Sequence, residues 1–151
     1  LEIIRRGIKP ERLIFGERLK RKEYLARYRV ADLFLDTHPY NAGTTASDAL
    51  KMGLPVLTYL GQSYQARMGA SILNSINLPE LITNSMEEYE ALAIELATNP
   101  DQLTKIKDKL HNNLSVAPLF DTPLFTKNLE SAYTQMYERH QKGLEPDHIY
   151  V

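Results

Sequence analysis

The 151-residue sequence contains no cysteine. That removes disulfides, a thiolate nucleophile and zinc–thiolate sites together. It also lacks any apolar run near the roughly 18 residues that span a bilayer as a helix. Nothing in it resembles a secretory leader, so the expected location is the cytoplasm. Neither sign of charge is in excess: 18 Lys and Arg face 19 Asp and Glu, a net charge of −1. Nucleic acid and anionic membrane are therefore not the expected partners. His111, His140 and His148 show no metal-ligand spacing and read as surface residues. Asn113-Leu114-Ser115 has the form of a glycosylation sequon, read here as chance. No Ser-His-Asp or paired-carboxylate arrangement stands out, so no catalytic residue is assigned.

What is present suits one domain, residues 1–151. At 43% hydrophobic, a chain of this length buries about two-thirds of its surface. It opens on Leu1, and "LEIIRRG" reads as the tail of a helix closed by Gly7, which leads us to expect a longer parent protein. Short strands are predicted at Leu13–Phe15, within "ADLFLDT" (a run expected to be buried on both faces), at "PVLTY" and at "ELIT". Between them fall helices at about Lys22–Tyr28, Thr45–Met52 (stopped by Gly53 and Pro55) and Tyr64–Ile76. After them the pattern turns helical. Ser85-Met86-Glu87-Glu88 forms a capping box ahead of Tyr89, Leu92, Ala93 and Leu96. Asn99-Pro100 starts a second helix lined by Leu103, Ile106, Leu110 and Leu114. Phe125, Leu129, Tyr133 and Tyr137 mark a last one ending at Gly143, in which Tyr133, Met136 and Tyr137 are expected in the core. The fold class is α/β: a parallel sheet with a helical C-terminal cover.

In open parallel sheets ligands lie beyond the carboxyl ends of strands. The loop from Asp36 to Thr45 sits at such an end. Gly43 lets backbone approach a ligand, and the following helix start offers unpaired N–H groups and positive partial charge suited to phosphate. Hydroxyls of Thr44 and Thr45 add donors, and Asp48 is placed to accept from a ribose diol. The same residues also fit a plain capping box, Thr45-Ala46-Ser47-Asp48, which would close a helix end and nothing more. Gly-Thr-Thr alone is neither a P-loop nor a dinucleotide fingerprint. His38 in this loop reads as a surface histidine. Arg67 is read as facing the cleft or as one half of a structural salt bridge.

The stretch "FLDTHPYNAGTTASDALKMGLPVLTYLGQSYQARMGASIL" resembles the nucleotide-sugar half of family 41 glycosyltransferases, the O-linked N-acetylglucosamine transferases with their bacterial and SPINDLY-like relatives. The resemblance continues through "LPELITNSMEEYEALAIELA", "PLFDTPLFTKNLESAYTQMY" and "GLEPDH". It implies a GT-B enzyme of two Rossmann-like lobes, this chain forming most of the C-terminal one. The implied donor is UDP-N-acetylglucosamine, a substrate rather than a cofactor. The implied acceptor is a Ser or Thr hydroxyl of a protein, the reaction inverts the sugar carbon, and no metal is used. Thr44 and Thr45 match the paired threonines at the donor diphosphate, and Asp48 the ribose-binding aspartate. Arg21, Tyr24 and Arg27 fall where the family holds lysine, histidine and arginine around uracil, and backbone near Leu19 would read the base edge.

Two departures stand out: Gly43 where vertebrate members carry histidine, and Tyr24 where they stack a histidine on the base. Tyr24 also reads as a core tyrosine, and Arg21 and Arg27 as a solvated basic face. The resemblance places the leaving-group lysine, the acid/base groups and the acceptor cleft outside this sequence, along with tetratricopeptide repeats. The isolated chain is therefore expected to be inactive, and its exposed inter-lobe face to self-associate. Two alternatives remain open: a fucosyltransferase or epimerase on the same fold with another nucleotide sugar, and a non-catalytic interaction module.

Overall fold

A computed structural model describes residues 2–151, so Leu1 lies outside the described residues. Among them, the α-helices are α1 (Glu2–Arg5), α2 (Arg21–Arg27), α3 (Thr44–Lys51), α4 (Met68–Ser75), α5 (Met86–Thr98), α6 (Pro100–Asn113) and α7 (Thr122–Gln141). Three strands, β1 (Phe34–Leu35), β2 (Val56–Tyr59) and β3 (Ile82–Thr83), form one sheet in the order β1-β2-β3. Both pairings are parallel, with Phe34 opposite Val56 and Thr58 opposite Ile82. Parallel neighbours need a crossover, and α3 and α4 supply them. No helix is long and apolar enough to cross a membrane among the described residues.

The core follows from the apolar spacing. Ala46, Ala49 and Leu50 on α3 meet Val56 of β2, Leu73 of α4, Leu96 of α5 and Leu110 of α6, all buried. Each leucine so enclosed contributes about 1.5–3 kcal/mol relative to exposure. Helix α3 stops where Gly53 takes φ +82°: the Gly53 N–H reaches Leu50 O and the Leu54 N–H reaches Ala49 O, both at 2.9 Å. That is the left-handed closure for which glycine is the cheapest residue. Helices α5, α6 and α7 start on side-chain caps from Ser85, Asn99 and Asp121. The Ser85 box is shifted by one residue, because Glu88 reaches back to the Asn84 N–H (2.8 Å) rather than to that of Ser85.

Several expectations are corrected. Leu13–Phe15 forms no strand: it lies in irregular backbone with Ile14 and Phe15 87% and 83% exposed. Three apolar residues make few ladder bonds, and here no element covers them. The strand in "ADLFLDT" shrinks to Phe34–Leu35, and Leu35 is 54% exposed, so that strand is not buried on both faces. The helix expected over Tyr64–Ile76 divides into a 3₁₀ turn at Gln65–Arg67 and α4. Helix α7 buries no residue. Tyr133, Met136 and Tyr137 are exposed rather than core: among the described residues none of the three is buried.

Candidate functional site

Parallel pairing sends β1 and β2 out of the sheet at the same edge, where the loops leading to α3 and α4 meet. Asp36 ends β1 and organises the first loop. Its carboxylate is 6% exposed and accepts from the N–H of Thr37 (2.8 Å), the N–H of Ala42 (2.7 Å) and the Thr58 hydroxyl (2.7 Å). Tyr89 donates to the Asp36 carbonyl at 2.9 Å; burial first, and then the Asp36 charge, hold its phenol above the ordinary value. Asn41 continues the knitting, giving its amide N–H to Thr37 O (2.8 Å) and accepting from the Gly69 N–H (3.4 Å) at the start of α4.

The loop delivers the chain to α3, whose N-cap is Gly43 and whose start has no side-chain cap. Thr44 and Thr45 are its first two residues and both are exposed. This corrects the capping-box reading: the helix begins before Thr45, so Thr45 is not its cap and Asp48 is not in its first turn.

Asp48 turns instead to α2. Its side chain is 11% exposed, and its two oxygens accept from the two terminal nitrogens of Arg21 at 2.7 and 2.8 Å, a bidentate pair. This hydrogen bond raises the Arg21 pKa further above its usual value. A carboxylate has about four lone-pair sites, so Asp48 keeps acceptor capacity.

The α2 face carries the other candidates. Tyr24 is half-buried rather than core, with the Arg21 and Arg27 guanidiniums 5.7 and 5.8 Å from its ring centre. Its hydroxyl hydrogen-bonds that of Tyr28. Tyr28 in turn donates to the backbone carbonyl of Thr45 at 3.3 Å and sets its ring 6.4 Å from that of Phe34 in β1. Burial, and then the bond to Tyr24, push the Tyr28 phenol well up. Arg27 donates to the Glu17 carbonyl (3.0 Å), and Leu19 lies in the exposed segment leading to α2.

The structure thus joins Arg21 to Asp48 and, through Tyr28, Tyr24 to Thr45. Arg27 is turned toward the segment before α2. Sequence reasoning missed Tyr28 and Asp36. A signal existed for both: Tyr28 follows Tyr24 by one helical turn, and Asp36 is the acidic residue that closes an apolar strand run. Arg67 is exposed and forms no ion pair among the described residues. It lines a hollow of about 250 Å³ with Tyr64, Met68 and Ser71, beside Gly43. His38 is exposed as expected, its ring stacked 4.3 Å from that of Tyr59. Larger hollows, about 470 and 490 Å³, lie at the C-terminal tail and beside Pro118, away from these residues. No metal-binding cluster occurs among the described residues.

The signature of Glycosyl transferase family 41 matches residues 2–129. Over 146 residues the chain is 35% identical to the probable UDP-N-acetylglucosamine–peptide N-acetylglucosaminyltransferase SEC of Arabidopsis thaliana, covering 96% of this chain and 15% of that protein. The UDP-N-acetylglucosamine–peptide N-acetylglucosaminyltransferase of Caenorhabditis elegans is 32% identical, with 97% of this chain and 13% of that one covered. A solved structure of a mutant O-GlcNAc transferase from Thermobaculum terrenum matches with a TM-score of 0.84 at 35% identity, over 89% of this chain and 26% of that one. The chain belongs to glycosyl transferase family 41. It spans 13–15% of the length of these two curated relatives.

Proposed function

We propose that this chain is the nucleotide-sugar-binding part of a protein O-glycosyltransferase. With the rest of its polypeptide it takes UDP-N-acetylglucosamine and transfers the sugar to a Ser or Thr hydroxyl of an acceptor protein, with inversion. In this reading the sheet is most of the C-terminal lobe of a GT-B enzyme, and the acceptor binds to parts outside this sequence.

One observation carries the reading: an uncapped helix start bearing two exposed threonines stands beside a buried carboxylate paired with Arg21, at the edge where the strands end. The donor diphosphate accepts from the N–H groups at the start of α3 and from the hydroxyls of Thr44 and Thr45. The helix dipole offsets its charge without a metal. Those donors gain strength as negative charge builds on the departing phosphate, which is where they lower the barrier. Asp48 accepts from the ribose hydroxyls with the lone pairs that Arg21 leaves open. Tyr24 gives the uracil a stacking face, Arg21 and Arg27 line its surroundings, and backbone at Leu19 reads its edge. In the transfer itself the acceptor oxygen forms its bond to the sugar carbon as the bond to UDP breaks. The hydroxyl proton leaves to a base outside this sequence.

The test is calorimetric titration of UDP into the full polypeptide that carries this chain, beside a melting curve. Asp48→Asn removes a charge-assisted bond to the ribose and is expected to weaken UDP about ten- to a hundred-fold; it also breaks one of the two bonds from Arg21, so a drop in melting temperature accompanies the loss. Unchanged affinity would refute the site.

A further inference from the structure

We infer that Tyr28 is a positioning residue for the donor, its hydroxyl tying the ring on which the base stacks to the helix turn that holds the diphosphate. The inference rests on the donor-site reading above, and it concerns a residue to which neither the motifs nor the family resemblance gives a role. Three contacts carry it. The Tyr28 O–H donates to the carbonyl of Thr45, the second residue of α3. That uses its one proton, so the bond between the two phenols must run from the Tyr24 O–H to the Tyr28 oxygen. The Tyr28 ring, half-buried, lies against Phe34 of β1, with the ring centres 6.4 Å apart.

The consequence is geometric. A nucleoside diphosphate holds its base and its phosphates at a nearly fixed separation. The base end of this site stands on α2 and the phosphate end on α3, whose first residue, Thr44, lies 16 residues along the chain from Tyr28. The Arg21–Asp48 pair spans the same two helices but is half open to water, with the Arg21 side chain 63% exposed. The Tyr24–Tyr28–Thr45 chain is the second tie: the bond between the two phenols is part-buried and its Thr45 end is exposed. With both ties in place the two ends are held in register before the donor arrives, which spares the ligand the cost of ordering them. Without the hydroxyl each end still binds its own part, and only the Arg21–Asp48 pair is left to hold the two in register.

Tyr28→Phe removes only that hydroxyl. In the full polypeptide that carries this chain, both hydroxyl bonds are lost while the Arg21–Asp48 tie remains, and calorimetric affinity for UDP is expected to fall about three- to ten-fold. Affinities for uridine alone and for inorganic pyrophosphate alone should stay within about two-fold, because neither ligand needs the register. Tyr24→Phe breaks the same chain at its other end and keeps the ring. The double variant should then lose no more than the larger single loss. A Tyr28→Phe protein that binds UDP as the unmodified protein does, or that loses uridine, pyrophosphate and UDP equally, overturns the inference while leaving the donor site standing. Failure of the unmodified protein to bind UDP overturns the donor-site reading and this inference with it.

Discussion

Changing Asp36 to asparagine alters one atom and one charge at the point where the site loop is held. Three donors converge on this carboxylate: the N–H groups of Thr37 and Ala42 on Oδ1, and the Thr58 hydroxyl on Oδ2. Two of the three are backbone groups that cannot turn. An asparagine must therefore keep its oxygen on their side and point its NH₂ at Thr58, whose hydroxyl has to reverse from donor to acceptor. Bonds to a charged group contribute about 1.5–3 kcal/mol and neutral ones about 0.5–1.5, so each of the three weakens by about 1 kcal/mol. A neutral amide costs less to bury than a carboxylate, which returns part of that sum. The net is a loss of about 2 kcal/mol. For a domain of this size 1 kcal/mol corresponds to about 2–4 °C, so the melting temperature should drop by about 4–8 °C.

The assay is thermal melting at neutral pH, repeated by urea unfolding. Asp32→Asn serves as the control: Asp32 meets Lys107 at 2.7 Å, but its side chain is 80% exposed, and such pairs contribute about 0–1 kcal/mol. Coincident melting curves for Asp36→Asn and Asp32→Asn would refute the account of the loop.

Two further perturbations bear on the same region. Gly69→Ala sets helix propensity, a gain of about 1 kcal/mol, against a Cβ only 2.4 Å from Thr58 Oγ1 and 2.6 Å from Asp36 Oδ2; the clash should win, costing about 1–3 kcal/mol net in a melting measurement, and a stabilised variant would disprove it. The second is alkaline titration of stability. Burial and the bond to Tyr24 hold the Tyr28 phenol above its ordinary value near 10, so from about pH 10 the unfolded chain sheds a proton that the folded chain keeps. Stability from this group is whole below pH 10 and declines above it, less steeply in Tyr28→Phe; parallel declines would contradict the assignment.

Much of this was legible in the sequence. Helices α5 and α6 begin on the residues whose side chains cap them, and β2 and the end of α3 fall where Gly53 and Pro55 place them. What stayed hidden depends on neighbours. Leu13–Phe15 is as apolar as the start of β2, yet only β2 has a strand on each side. The stripe on α7 repeats the spacing seen on α5, but only α5 lies against the sheet, so Leu96 is buried and Tyr137 is not. At the site, the spacing of Arg21, Tyr24 and Arg27 puts three candidates on one helix, which local pattern can reveal. That Arg21 reaches Asp48, 27 residues away, has no local signature. The N-cap of α3 is Gly43, two residues before Thr45, which takes Asp48 out of the first turn, and there it pairs with α2.

The two glycines at this edge have different causes, and the difference bears on how the site varies within its family. Gly69 is required by packing: there is no room for a methyl group between α4 and the Asp36–Thr58 bond. Gly43 is not. A Cβ there would meet only Met68 Cγ at an ordinary 3.8 Å. Space alone therefore does not account for glycine at this position, where vertebrate members carry histidine. What glycine changes is the space in front of the α3 N–H groups. A histidine would bring a ring and a titratable donor to the place where a diphosphate is proposed to lie; under that proposal this chain would meet the ligand with backbone and two hydroxyls alone. The variation therefore acts on the chemistry presented at the helix start.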